Sequence, residues 1–256
     1  MVDREGLTYT RCYCEENVWK LLHDEAPRIS AGDAYNACNA AAAVSWAACF
    51  ISNPNKTVAV ACQAASQDEL GLVVWDYHVV AIGPDPQTGQ PSVFDLDTTL
   101  PFPCPIEEYW HKAFLTDWLP PRLHPMFRVV KRDDFLAHFS SDRSHMLRDG
   151  DYIAAPPPYP PIQRNGVATN LMKYIEMSHE DRDKGVVCAT LDAVLEYVAG
   201  DDGDNSSGDG GDGDGDGDDD HSSGDDGGND SDDAGDDSDG DYDGRSGSNG
   251  GKGLNE

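Results

Sequence analysis

Apolar positions recur at helical spacing just after Cys14: Val18, Leu21 and Leu22 fall on one face, and Glu15 and Glu16 stand in the first turn. The spacing predicts a helix over residues 15–26, with Cys14 at or just before its N-terminus. The alanine-rich run 34–49 reads as a second helix, weakened by Asn36, Asn39 and Ser45. Phe50-Ile51 and residues 58–62 read as short strands about an Asn-Pro-Asn turn.

The pattern then changes. Residues 72–82 (LVVWDYHVVAI) and 92–96 (SVFDL) are rich in β-branched and aromatic side chains and flank a loop, 83–91, dense in Gly, Pro, Asp and Gln. This is the signature of an antiparallel hairpin. With the loop centred at residue 87, opposed residue numbers sum to about 174, so either Asp95 or Asp97 lies opposite or diagonal to His78 on one face. A slip of one residue would part them. Beyond the hairpin come a helix over 106–114, a strand over 127–130 and a helix over 133–139. The run Ser140 to Met146, a polyproline stretch at 156–161 and a last helix over 190–198 follow. Short strands segregated from several helices place the chain in the α+β class.

Composition divides the chain in two. From Asp201 to Glu256 there are 20 Asp and one Glu against Arg245 and Lys252, which accounts for −19 of the formal net charge of −30. That segment holds 17 Gly and 8 Ser, with Tyr242 and Leu254 as its only large apolar residues. It cannot bury enough apolar surface to offset its ordering entropy, so a folded domain is expected over 5–199 and a disordered acidic tail over 200–256. The Gly-Asp alternation at 211–217 lacks the periodic apolar residue of a calcium-binding roll.

The N-terminus lacks the apolar run of a signal peptide, and no stretch reaches the ~18 apolar residues that span a bilayer. A soluble protein is expected. Seven scattered cysteines do not form a compact disulfide framework and fit reduced thiols in the cytosol or nucleus. The acidic surface, without basic clusters, argues against nucleic acid as a partner.

A cysteine nucleophile needs a lowered pKa, a base in reach and a group to orient that base. Cys14 at a helix start meets the first condition through unpaired backbone N–H groups. Glu15 and Glu16 oppose it, which leaves His78 to supply most of the activation. Asp95 or Asp97 would hold the His78 tautomer, and His145 is a rival base. Each residue also has a structural reading: a buried cysteine, a core histidine, an aspartate capping a turn. Cys12 and Cys14 form a Cys-x-Cys pair, but without a second Cys or His pair this is a weak zinc signal.

Five ordered blocks carry more information: Cys12 to Lys20 (CYCEENVWK), Trp75 to Val80 (WDYHVV), Asp95 to Cys104 (DLDTTLPFPC), Phe139 to Met146 (FSSDRSHM) and Pro156 to Pro160 (PPPYP). From about Tyr9 to Val198 they resemble, in order, the protein N-terminal glutamine amidohydrolase family. The resemblance implies a papain- or transglutaminase-like α+β fold without a cofactor or metal. It also implies a Cys-His-Asp triad falling on Cys14, His78 and Asp95. The implied reaction is deamidation of an N-terminal glutamine on proteins or peptides, with release of ammonia, by a monomer feeding the N-degron pathway. Restriction to a chain terminus calls for a carboxylate to receive the substrate's α-ammonium, and Glu16, Asp76 and Asp142 are the candidates. The chain departs from the pattern in the alanine-rich insertion, in Ala61-Cys62-Gln63 where relatives have Trp-Lys-Gln, and in its acidic tail.

Two other readings compete. The same triad suits a cysteine peptidase or a transglutaminase-type acyl transferase, and Pro156-Pro157-x-Tyr159 with the acidic tail suits a binding module. The last apolar helix ends before the tail, so removing residues 201–256 should leave melting temperature and kcat at their full-length values. A loss of several degrees on truncation would show that the tail docks on the domain.

Overall fold

The computed structural model describes residues 4–31, 44–178 and 184–200. The helix expected over 34–43 and the disorder expected of the tail lie outside them. The fold is α+β. One helical rod begins at Cys14 as α1 (Cys14–Lys20), widens into a π turn (Leu21–Glu25) and continues as α2 (Ala26–Ser30). It runs past the expected end at residue 26 because Pro27 falls in the first turn of α2, where a missing N–H costs little.

The centre of the domain is a six-stranded sheet in which every neighbouring pair is antiparallel. Its middle strand, β1 (Ala47–Ser52), lies between β4 (His78–Pro84) and β7 (Met126–Lys131). β10 (Val186–Cys188) closes one edge beyond β7, while β5 (Pro91–Phe94) and β6 (Cys104–Pro105) close the other beyond β4. Two short strands, β2 (Val58–Val60) and β3 (Val73–Trp75), pair separately, as do β8 (Leu147–Arg148) and β9 (Asp151–Tyr152). At the β10 edge Gly185 has φ +81°, and a Cβ there would come within 2.0 Å of the Val129 carbonyl oxygen. Glycine is the residue that lets this strand dock on β7.

Both faces of the sheet are covered. Ala48 and Phe50 of β1 face the α1 rod together with Val79, Ala81, Leu22, Phe135 and Tyr174. Cys49 and Ile51 face the other layer with Val80, Ile82, Tyr109 of α3 (Ile106–Ala113) and Val194 of α6 (Leu191–Ala199). A strand buried on both faces loses the alternation of a half-exposed one. For that reason Ala47 to Cys49, expected to be helical, are strand. Residues 50–51 do not pair with 58–60, because β4 and β7 occupy both edges of β1 and residues 58–60 pair with β3. Two smaller helices, α4 (Arg132–His138) and α5 (Leu171–Ile175), fill the rod-side layer.

The rod is tied to the rest of the domain by a buried ion pair. Arg143 donates from Nε to Glu16 Oε1 and from Nη2 to Glu16 Oε2, both at 2.8 Å, and from Nη1 to the Pro157 carbonyl at 3.3 Å. Tyr159 half covers the pair, its ring lying against both Arg143 and Lys20. Tyr159 and Pro157 are thus held against the domain, while Pro156, Pro158, Pro160 and Pro161 are exposed. Breaking one side of a buried pair leaves an uncompensated charge, at a cost of about 3–5 kcal/mol. Arg143→Ala should accordingly lower the free energy of urea unfolding by that amount and the melting temperature by roughly 10 °C.

Candidate active site

Cys14 opens α1 behind a tight turn. Thr10 is clamped by Asn17: its N–H donates to Asn17 Oδ1 at 2.8 Å, and Asn17 Nδ2 donates to its carbonyl at 2.9 Å. Between them Cys12 adopts a positive φ of 68° and points to solvent, while Cys14 is half-buried against the sheet. The start of β4 packs against α1, and the Val79 amide, next to His78, acts to lower the Cys14 thiol pKa.

His78 is the first residue of β4. The strand starts there because Asp76 and Tyr77 break the run that sequence patterning joins into one strand: the Ser52 hydroxyl donates to the Asp76 carbonyl (2.7 Å), and the Tyr77 N–H donates to Asp76 Oδ1 (2.9 Å). The β4–β5 register pairs Ala81 with Phe94 and Ile82 with Val93, a constant sum of 175. Extended, that register sets Asp97 opposite His78 and Asp95 diagonal to it. The ladder stops at Phe94, however, and Asp95 caps the following turn by accepting the Asp97 N–H at 2.9 Å. Its Oδ1 thereby comes within 3.0 Å of His78 Nε2.

Asp95 is fully engaged. Oδ2 accepts from Gln63 Nε2 (3.0 Å) and from the Tyr109 hydroxyl (2.8 Å). Burial would raise its pKa, but the His78 charge and these hydrogen bonds outweigh burial and hold it down to about 2. An ionised carboxylate only accepts, so Nε2 of His78 carries the proton and Nδ1 is the basic nitrogen. Burial lowers the His78 pKa, yet the charge and hydrogen bond of Asp95 prevail and raise it. Trp75 stacks on the imidazole, with centroids 5.8 Å apart and planes 17° apart, and shields the pair.

Sequence reading missed Gln63 and Tyr109, for neither sits in a pattern that marks it. Gln63 follows Cys62, whose φ is +57°, in a turn where the Cys62 carbonyl accepts from the Thr98 hydroxyl. Asp97 faces outward, half-buried, and accepts the Tyr9 hydroxyl at 2.6 Å. His78, Asp95 and Asp97 place potential metal-ligand atoms within 4.8 Å of one another. A cation there would have to displace the hydrogen bonds already made to Asp95.

The charge around Cys14 differs from the expected picture. A helix start alone would depress the thiol pKa, but burial pushes it well above the ordinary value. Glu15, Asp97 and Asp76 add to the rise, and only the Val79 N–H lowers it. Glu15 is fully buried, with Oε2 3.7 Å from Sγ. Glu16, expected as a partner for a substrate ammonium, is not available: it is fully buried and saturated by Arg143. Asp76 is exposed beside the site. Asp142 is half-buried and caps Ser144, and the Ser144 hydrogen bonds lower its pKa.

A model of the N-terminal glutamine amidase family matches residues 9–197. The chain belongs to that family. It is 39% identical over 184 residues to the protein N-terminal glutamine amidohydrolase of Bos taurus, covering 69% of this chain and 81% of the relative. It is 42% identical over 173 residues to the enzyme of that name from Drosophila erecta, covering 67% and 79%. To that from Drosophila ananassae it is 43% identical over 166 residues, covering 64% and 74%. In this chain a helix start carrying cysteine packs against a strand whose first residue is an oriented histidine. That layout is compatible with the papain- or transglutaminase-like arrangement implied by sequence. Among the described residues no helix is long and apolar enough to cross a membrane.

The depressed pKa of Asp95 has a definite sign in stability. The folded value lies below the unfolded one, ~3.9, so its contribution is complete above pH 5 and drains away as pH falls toward 2. Asp95→Asn removes this term. The unfolding free energies of the parent and the variant should therefore converge by about 1 kcal/mol between pH 5 and pH 3, measured in urea.

Proposed function

We propose that the protein deamidates an N-terminal glutamine to glutamate and releases ammonia, with Cys14 as nucleophile, His78 as proton carrier and Asp95 as its orienter. The observation that carries the reading is the Asp95-fixed tautomer of His78 at the start of β4, the strand against which the helix opened by Cys14 packs, in a chain of this family.

The Cys14 thiol passes its proton to His78 Nδ1, and the thiolate attacks the side-chain carbonyl carbon of the glutamine. Amide N–H groups at the start of α1 receive the oxyanion. As the tetrahedral adduct collapses, its C–N bond breaks and Nδ1 returns the proton to the departing nitrogen, which leaves as ammonia. A water molecule, deprotonated by His78, then attacks the thioester. The C–S bond breaks, glutamate is formed and the thiol is restored. Because burial and the surrounding carboxylates disfavour the thiolate, His78 takes the Cys14 proton as attack begins.

With Glu16 committed to Arg143, Asp76 and Asp142 are the remaining candidates for receiving the substrate's α-ammonium. Incubation with a Gln-initiated peptide should release ammonia, while its N-acetylated twin should not. Cleavage of the peptide, or incorporation of an added amine, would favour the peptidase or acyl-transferase reading. Cys14→Ala should abolish ammonia release, whereas Cys12→Ala, which changes a solvent-facing thiol, should retain it. A dead Cys12 variant beside a live Cys14 variant would overturn the assignment.

A further inference from the structure

Cys14 has a second imidazole–carboxylate pair on its other side. Glu15 directs Oε2 toward Sγ (3.7 Å), and that oxygen also accepts the Tyr77 hydroxyl at 3.1 Å. Its other oxygen, Oε1, is buried with no hydrogen-bond partner and lies 3.4 Å from His145 Nε2. Tyr77 closes the triangle, its hydroxyl 3.3 Å from the same Nε2. Within this group His145 retains a small exposed fraction, 12% of its side chain, while Glu15 is sealed.

A sealed carboxylate with one unsatisfied oxygen needs a cation, and His145 is the group placed to be one. Resting on Cys14 as the nucleophile, we propose that His145 is a positioning residue. As imidazolium it pairs with Glu15 and cancels the negative charge that would otherwise oppose the Cys14 thiolate. When His145 is neutral, Glu15 acts as a bare carboxylate beside Sγ. It accepts the thiol proton, turns it away from His78 Nδ1 and suppresses ionisation.

The surroundings of His145 support its charged form. Burial disfavours the imidazolium, but the nearby Glu15 carboxylate, with Asp76 and Glu16 adding to it, raises its pKa. Asp142 also interacts with it, and the Glu16 contribution is offset by the Arg143 guanidinium. Tyr77 is held in its neutral, donating form, because burial and then Glu15 push its pKa up.

The test reads the thiol directly and needs no glutamine substrate. In a Cys12→Ala background, iodoacetamide alkylation of Cys14 is followed by mass spectrometry from pH 5 to pH 9. His145→Asn should slow alkylation at pH 6.5 about tenfold and move its onset to higher pH, since a partner charge at this range shifts a pKa by about one unit or more. Adding Glu15→Gln to His145→Asn should bring the rate back to within about threefold of the parent. With Gln-initiated peptide, His145→Asn should lower kcat while KM stays within about twofold. In the parent, the alkylation profile should carry a step at the pH where His145 titrates by NMR, a measurement that needs no variant to fold. An unchanged profile in His145→Asn, failure of the double variant to recover, or no such step in the parent would each overturn the proposal. If Cys14→Ala still released ammonia, the functional reading would fail instead, whatever the alkylation rates.

Discussion

The bidentate pair between Glu16 and Arg143 is the contact on which the site's geometry depends. It joins residues 127 positions apart and sets the first turn of α1 against the segment that carries His145. Two buried ions are expensive to desolvate, and the cost is offset only because both guanidinium bonds are short and the Pro157 carbonyl takes a third N–H. The same pair takes Glu16 out of the chemistry. Of two adjacent carboxylates in one helical turn, one is neutralised for structure and the other, Glu15, faces Cys14.

That separation defines the electrostatics around Cys14. Asp95 is saturated by His78, Gln63, Tyr109 and its own turn, which holds it to orienting the imidazole. Glu15, Asp97 and Asp76 all oppose the thiolate. A thiol in such a setting is disfavoured as a thiolate, in contrast to a cysteine whose pKa is lowered by a helix start alone. An acidic rim also suits a substrate whose charged end is an ammonium, since the field that raises the thiol pKa attracts that cation.

Several elements were legible in the sequence because their signals are local. The apolar spacing of Val18, Leu21 and Leu22 placed Cys14 at a helix start. The turn-forming loop 83–91 fixed a hairpin whose register, a sum of 175 against the expected 174, holds as far as Phe94. The last helix also followed from short-range pattern, with Thr190 capping it rather than lying within it. β1 was partly misread for a physical reason: a strand covered on both faces shows an unbroken apolar run, and periodicity cannot separate that run from a buried helix.

By itself the sequence determined the α+β class, the helix that Cys14 opens, the hairpin that carries His78 and, through its ordered blocks, the family. Only the tertiary structure decided how the charges are shared. It set Asp95 on Nε2 because the ladder ends one residue earlier, and it delivered Gln63 and Tyr109 from 32 and 14 residues away to hold it there. It spent Glu16 on Arg143 and set His145 against Glu15. Spacing along the chain reports which side chains share one face of one element, whereas the ionisation of a buried group depends on what other elements bring within about 4 Å of it.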